Sequence, residues 1–335
     1  MIRFIKRVII LAILLAAAAS WFFLRQFPPE PDPVFGLNFS LTHAQYLGFD
    51  WREMYIEILD EFQPKKLRVM ALWEVVEPNR GDYNFQDIDY MVREAERRNV
   101  RIILTLGYKQ PGWPECHQPG WAQNLDTHAK NEELLQFIGA VVERYKSSPA
   151  IFAWQIENEP FFVFGPDCEA VSGEQLEQEI AFVKRLDSRP IVLVDSGEKG
   201  TWLWAGKYGA DIFGSTMYRE AYHDKYGMYI TYPIPGAFYR IKAGLLRTVY
   251  PDIDSVIGVE LQGEPWFISS VFDTPWEEQK KKMNGQTLRD NAAYARRGGF
   301  AEHYFWGVEW WYWAKEKQND PELWEAGKEI INPNS

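Results

Sequence analysis

The segment Ile151-Phe-Ala-Trp-Gln-Ile-Glu-Asn-Glu-Pro160 is an apolar run that ends in three polar residues, Glu157, Asn158 and Glu159. Further along, Asp254-Ser-Val-Ile-Gly-Val-Glu260 is a second apolar run closed by a carboxylate. Two carboxylates delivered to one pocket by separate strands can divide the work of glycosidic hydrolysis. A protonated acid assists the leaving oxygen, and an ionised carboxylate attacks the anomeric carbon from about 5 to 5.5 Å away when configuration is retained. Burial and mutual repulsion set the two pKa values apart. Glu159 and Glu260 are the candidates. Glu264, in the loop Leu261-Gln-Gly-Glu-Pro-Trp266, is a rival nucleophile, but Glu260 is preferred because it follows the apolar run directly. Glu157 is expected to face away from Glu159, or to sit in the turn as an ion-pair partner.

Such side chains need a frame that brings strand ends together. Beyond residue 33, short apolar runs alternate with helical patterns, and eight runs are found: 34–40, 66–71, 100–106, 151–155, 190–194, 211–215, 255–259 and 301–306. Each is short and bounded by turn residues, as buried parallel strands are. Between them, Phe85, Ile88, Met91, Val92 and Ala95 share one helical face. The same holds for Leu134, Ile138, Val141, Val142 and Tyr145, and for Leu176, Ile180, Val183 and Leu186. Ser172 with Gln175 reads as a capping box at the start of the third helix. No glycine-rich phosphate turn is present, so an open doubly wound sheet fits less well than an α/β fold of the closed (β/α)8 TIM-barrel kind over residues 34–335. Chemistry in that fold sits at the C-terminal ends of the strands.

Composition narrows the partners. The 335 residues carry a net charge of −11, and no basic cluster in the body offsets it, so nucleic acid is not an expected partner. The 15 Trp, 17 Tyr and 21 Phe exceed what an aliphatic barrel core needs, and indole rings lining a cleft suit the flat apolar faces of sugars. Trp73 and Trp113, in loops after the second and third runs, are candidate platforms for a carbohydrate substrate. Asn38 matches a glycosylation sequon with Ser40 but ends the first run, and reads as polar lining at the barrel mouth within reach of sugar. The five histidines and two cysteines show no metal-ligand spacing, and no Gly-x-Ser-x-Gly elbow occurs. Neither metal nor cofactor is expected. At the N-terminus, Arg3, Lys6 and Arg7 precede an apolar stretch from Val8 to Leu24, then a proline-rich linker to Pro33. Residues 1–33 therefore read as a signal anchor or a signal peptide, with the body outside the cytoplasm, either membrane-anchored or secreted. In an oxidising compartment Cys116 and Cys168 are either a disulfide or two separate buried thiols.

At these residues the chain resembles the retaining glycoside hydrolases of the large barrel clan A, which includes cellulases, mannanases, β-galactosidases and β-xylosidases. In that clan the acid/base ends the fourth strand within Asn-Glu-Pro, and the nucleophile ends the seventh. The resemblance implies that Asn158 binds the sugar 2-hydroxyl, Glu159 is the acid/base and Glu260 the nucleophile. Leu67-Arg68-Val69 through Trp73, Glu77-Pro78, Gly81 and Tyr83-Asn-Phe85 is similar to the clan's second strand and loop, with Arg68 matching the arginine that supports the nucleophile. Tyr218 matches its tyrosine partner. Trp306 matches the tryptophan floor of the sugar subsite, with Trp310 as a competing choice. The similarity spans Val34 to Trp313. Cellulase-type members carry a histidine near the end of the third strand and His-x-Tyr at the sixth, where this chain has Gly107-Tyr-Lys-Gln110 and Thr216-Met-Tyr218. The implied activity is retaining hydrolysis of β-linked oligo- or polysaccharides. A transglycosylase would use the same residues, and a glycan-binding barrel without catalysis or an unrelated acid/base barrel enzyme are the readings from other classes.

Overall fold

The computed structural model describes residues 2–112, 114–163, 168–223 and 226–333. Its strands are β1 (Val34–Phe39), β2 (Lys66–Met70), β3 (Arg101–Leu106), β4 (Ile151–Ile156), β5 (Ile191–Asp195), β6 (Ile212–Met217), β7 (Glu220–His223), β8 (Met228–Thr231), β9 (Ser255–Gln262) and β10 (Glu302–Trp306). Eight of them close a parallel barrel in the order β1-β10-β9-β6-β5-β4-β3-β2. All eight apolar runs are barrel strands. The antiparallel hairpin β7–β8 is an addition that sequence reading did not foresee: its strands are four residues long and half exposed, so they carry no apolar run.

Helices cover the outside for the reason their spacing implies. Gln86–Arg97 buries Ile88, Met91, Val92 and Ala95, and Thr127–Tyr145 buries Leu134, Ile138, Val141 and Val142. Ser172 caps Gly173–Leu186 by accepting the Gln175 backbone N–H, but the box is only half formed. The Gln175 side chain turns instead to Glu179 Oε1 at 2.8 Å.

The barrel interior is filled in layers. Near the bottom Ile103, Ala153, Val192, Val194, Ile257, Val259 and Tyr304 pack together. Above them the inward residues turn polar: Asn38, Arg68, Gln155 and Glu260 are all buried and bonded to one another through Arg68. On β9 the alternation breaks. Pairing with β6 runs Ser215 with Gly258 and then Thr216 with Glu260, while pairing with β10 runs His303 with Gly258 and then Phe305 with Leu261. Against both neighbours β9 therefore carries one extra residue, a bulge that re-aims the side chains beyond it. Ile257 and Val259 point inward, so strict alternation would send Glu260 outward. The bulge returns it to the interior and leaves the Val259 carbonyl to accept Asn38 Nδ2 at 2.9 Å.

The N-terminal helix Ile2–Gln26 is long and apolar enough to cross a membrane over Phe4–Gln26, in which an 18-residue stretch has a mean hydropathy of 2.3. Its far end reaches the barrel. Phe23 and Phe27 lie over Gly244 on helix Gly236–Val249, where an added Cβ would come within 2.6 Å of the Phe27 ring. Glu30 N–H then donates to Gly299 O at 3.3 Å and Val34 N–H to Ala301 O at 2.8 Å, which seats the linker at the end of the barrel opposite the strand C-termini.

Candidate active site

Arg68, entirely buried on β2, organises the mouth. Its Nε donates to Gln155 Oε1 at 2.7 Å, Nη1 to Asn38 Oδ1 at 3.0 Å and to Glu260 Oε1 at 2.9 Å, and Nη2 to Asn158 Oδ1 at 2.8 Å. A planar guanidinium with its donors in a fixed fork is the one side chain that can hold three strand ends at once and still neutralise a carboxylate. The second oxygen of Glu260 accepts Tyr218 Oη–H at 3.2 Å. Tyr218 follows β6 and is steadied from behind: Gln262 Oε1 accepts the Arg219 and Glu220 N–H groups, and the Gln262 amide donates to Glu220 O. That clasp ties the start of the hairpin to β9, so the phenol and the carboxylate it serves share one support.

Glu159 lies at the exit of β4 in a different setting. It is 7 % exposed, and Thr216 Oγ1 lies 3.2 Å from its Oε1. Burial first, and then the carboxylates of Glu115, Glu260, Glu198 and Asp195, push its pKa well above the ordinary carboxylate range. Both Glu157 and Glu159 have positive φ, 57° and 42°, which non-glycine residues adopt only where the surroundings enforce it. This conformation, not strand alternation, parts the two: alternation alone puts residues two apart on one side. The Glu157 carboxylate turns away and accepts the Tyr108 and Lys109 N–H groups at 3.0 and 2.6 Å. Gly107 makes room for it, since a Cβ there would stand 2.4 Å from the Glu157 carboxyl carbon.

Around this pair the disulfide Cys116–Cys168 joins the loops after β3 and β4. It adjoins Glu115, which forms a buried ion pair with Lys109 at 3.3 Å and whose own burial pushes its pKa up to about 7. Trp306, at the end of β10, packs on Met70 and Leu72, and its indole N–H donates to Glu264 Oε1 at 2.8 Å. The other Glu264 oxygen is buried with no hydrogen-bond partner among the described residues, and burial raises this carboxyl to about 7.

Several expected contacts are corrected. Trp310 is a core residue: its helix, Val308–Gln318, turns it onto Phe267 and Trp276, and its N–H is taken by Gln279 Oε1 at 2.9 Å. Asn38 is not open to a sugar, because its amide donates to three backbone carbonyls and its oxygen holds Arg68. Trp73 is fully buried with its N–H on Glu77 Oε2, so it forms no platform. Trp113 lies outside the described residues. Conversely, Gln155, Glu115 and Glu198 were not among the candidate residues, and Thr216 stood out only as a departure from His-x-Tyr at the sixth barrel strand. Gln155 had a signal, a polar residue inside an apolar run, whereas Glu198 sits in Ser196-Gly-Glu-Lys-Gly200, which looks like an ordinary turn.

A family model described as Beta-galactosidase (Glyco_hydro_42) matches residues 48–187. Among curated proteins, mannan endo-1,4-beta-mannosidase A of Podospora anserina is 38% identical over 150 residues, 36% of this chain and 40% of that protein. The protein of the same name from Emericella nidulans is 27% identical over 144 residues, 40% of this chain and 36% of the other. Over part of its length the chain is similar in sequence to glycoside hydrolases, and in fold it is a (β/α)8 barrel like those of its solved neighbours. It spans about two-fifths of the length of the curated relatives it matches. In fold it is similar to native xylanase 10B from Thermotoga maritima, with a TM-score of 0.58 at 16% identity over 90% of this chain and 95% of that one. Exo-beta-1,4-mannosidase Op5Man5 from Opitutaceae bacterium strain TAV5 superposes with a TM-score of 0.58 at 11% identity, covering 91% of this chain and 60% of that one.

Proposed function

We propose that the chain is a retaining β-glycoside hydrolase in which Glu159 is the acid/base and Glu260 the nucleophile. The observation that carries the reading is the contrast between the two carboxylates. Glu260 is held by the Arg68 guanidinium and the Tyr218 phenol, which orient it and set a cation against it, while Glu159 is buried among other carboxylates, which raises its pKa and favours the protonated form an acid needs. Glu159 protonates the departing oxygen as Glu260 bonds to the anomeric carbon; water then attacks, giving its proton to Glu159. With its oxygen committed to Arg68, Asn158 has its NH2 group left to donate to the sugar 2-hydroxyl. Trp306 is the flat surface for the ring.

The relatives' names point to β-1,4-linked mannan as the first substrate to assay, with β-galactosides second because of the matching family model. A 2-deoxy-2-fluoro glycoside with a good leaving group should inactivate the enzyme and add its mass to the peptide bearing Glu260; label on Glu264 would reverse that assignment. Glu159→Ala should lose activity on unactivated substrates and recover turnover of activated ones with azide. The N-terminal helix reads as a membrane tether that leaves the barrel mouth facing away from the bilayer, since its far end meets the opposite face. Full-length protein should then stay with the membrane fraction in alkaline carbonate, and release into the supernatant would argue for a cleaved signal.

A further inference from the structure

A buried carboxylate, Glu159, and a half-buried one, Glu198, share a single hydroxyl. Thr216 Oγ1 lies 3.2 Å from Glu159 Oε1 and 3.3 Å from Glu198 Oε2, and it accepts the Gly197 N–H at 3.1 Å. A threonine hydroxyl has one proton and two lone pairs, so it can donate to only one of the two carboxylates at a time. Glu198 is well supplied with other donors: its Oε1 accepts the Tyr218 N–H at 2.7 Å and the Tyr239 O–H at 2.7 Å. Burial pushes the Glu198 pKa above the ordinary carboxylate value, and these donors oppose that shift by stabilising the anion. Glu159, among the described residues, takes a side-chain hydrogen bond from Thr216 alone.

The geometry points to Thr216 as a rotating donor that serves whichever of Glu159 and Glu198 is charged and unsupported, with Glu198 as the fixed acceptor that sets its resting direction. The inference rests on Glu159 being the acid/base. At rest the Thr216 O–H donates to Glu198, and Glu159 keeps its own proton, which it can direct to the Thr216 oxygen or to a leaving group. The Thr216 oxygen is then saturated, with the Gly197 and Glu159 donors on its two lone pairs. On cleavage the glycosidic C–O electron pair goes to the departing oxygen, which takes the Glu159 proton, while a Glu260 oxygen bonds to the anomeric carbon. Glu159 is now an anion, and the hydroxyl turns to it, with no covalent bond made or broken in the turn. When attacking water returns a proton to Glu159, Thr216 turns back.

The surroundings make that one proton count. Glu159 faces the carboxylates of Glu115, Glu260, Glu198 and Asp195 and the phenols of Tyr218 and Tyr232, with Arg68 as a nearby cation already bonded to Glu260. Glu198 faces Lys242 and the phenols of Tyr232, Tyr239 and Tyr294. Thr216 occupies the first position of the Thr216-Met-Tyr218 triplet, and pairs in register with Glu260 on β9. A hydroxyl there switches partners without titrating.

The test is the pH dependence of kcat/KM on a substrate with a poor leaving group, for the wild type, Thr216→Val, Thr216→Ser and Glu198→Gln. Thr216→Val removes the donor that stabilises ionised Glu159, so the alkaline limb should rise by roughly one pH unit. Glu198→Gln removes a neighbouring negative charge and offers an amide N–H to Thr216, freeing the hydroxyl proton for Glu159, so the limb should fall by a similar amount. Thr216→Ser should keep the wild-type limb. Shifts in one common direction, or lost rate with an unmoved limb, would overturn the inference and leave the acid/base assignment standing. Glu159→Ala tests that assignment separately: a limb that persists in this variant would remove both.

Discussion

Arg68 shows how one side chain can define a site. It is buried without exposure, touches Asn38, Gln155, Asn158 and Glu260, and so connects β1, β4 and β9 to its own strand. Removing the ion from water costs several kcal/mol, which is offset only because every arm of the fork meets an acceptor. Arg68→Met should lower kcat by about 10²–10³-fold, the range for losing a preorganised charge-bearing donor. It should also destabilise the fold by about 3–5 kcal/mol, because Glu260 is left as an uncompensated buried charge. Steady-state kinetics and denaturant midpoints measure the two effects. Arg68→Lys should restore little of the rate, since an ammonium cannot span acceptors on three other strands.

At the scale of elements, two departures from regular strand geometry aim the carboxylates. The β9 bulge turns Glu260 inward, and the positive φ values after β4 turn Glu157 out while Glu159 stays at the mouth. The second device depends on Gly107 in the loop after β3. Its φ of 117° is a glycine conformation, and a methyl group there would stand inside the Glu157 carboxyl. Gly107→Ala should therefore cost about 2–4 kcal/mol in stability by combining backbone strain with a steric clash, and it should depress kcat through the displaced β4 exit. Thermal melts with parallel kinetics would decide this, and an active variant of unchanged melting temperature would contradict the account.

For the whole molecule, buried carboxyls set a pH dependence of stability. Burial raises Glu115, Glu179, Glu264 and Glu309 to about 7 and Asp195 to about 6. A carboxyl with a raised folded pKa stabilises the native state fully below its unfolded value, and that contribution is lost as pH rises through the folded value. Melting temperature should thus fall between about pH 4.5 and 7. Glu61, Asp89, Glu94 and Asp320 are shifted down by hydrogen bonds and ion pairs, so their contribution is lost only as pH falls below the ordinary carboxylate range. The two sets do not overlap, and a scan showing maximal stability above pH 7 would contradict this balance.

The eight apolar runs and their intervening helical faces were legible in the sequence, because buried parallel strands and amphipathic helices write hydrophobicity directly into residue order. The carboxylates at strand ends were legible for the same reason: a polar cluster closing an apolar run marks the mouth of a barrel. What tertiary structure alone decided is where side chains point and what they meet. Period-two counting sends Glu260 the wrong way until the bulge is seen, and it cannot separate Glu157 from Glu159. Trp306 and Trp310 lie four residues apart in one aromatic run, yet only the first stays at the end of its strand, while a helix carries the second into the core. Glu198 and Thr216 come together from the ends of adjacent strands, a contact that depends on closure of the barrel, not on any local pattern in the chain.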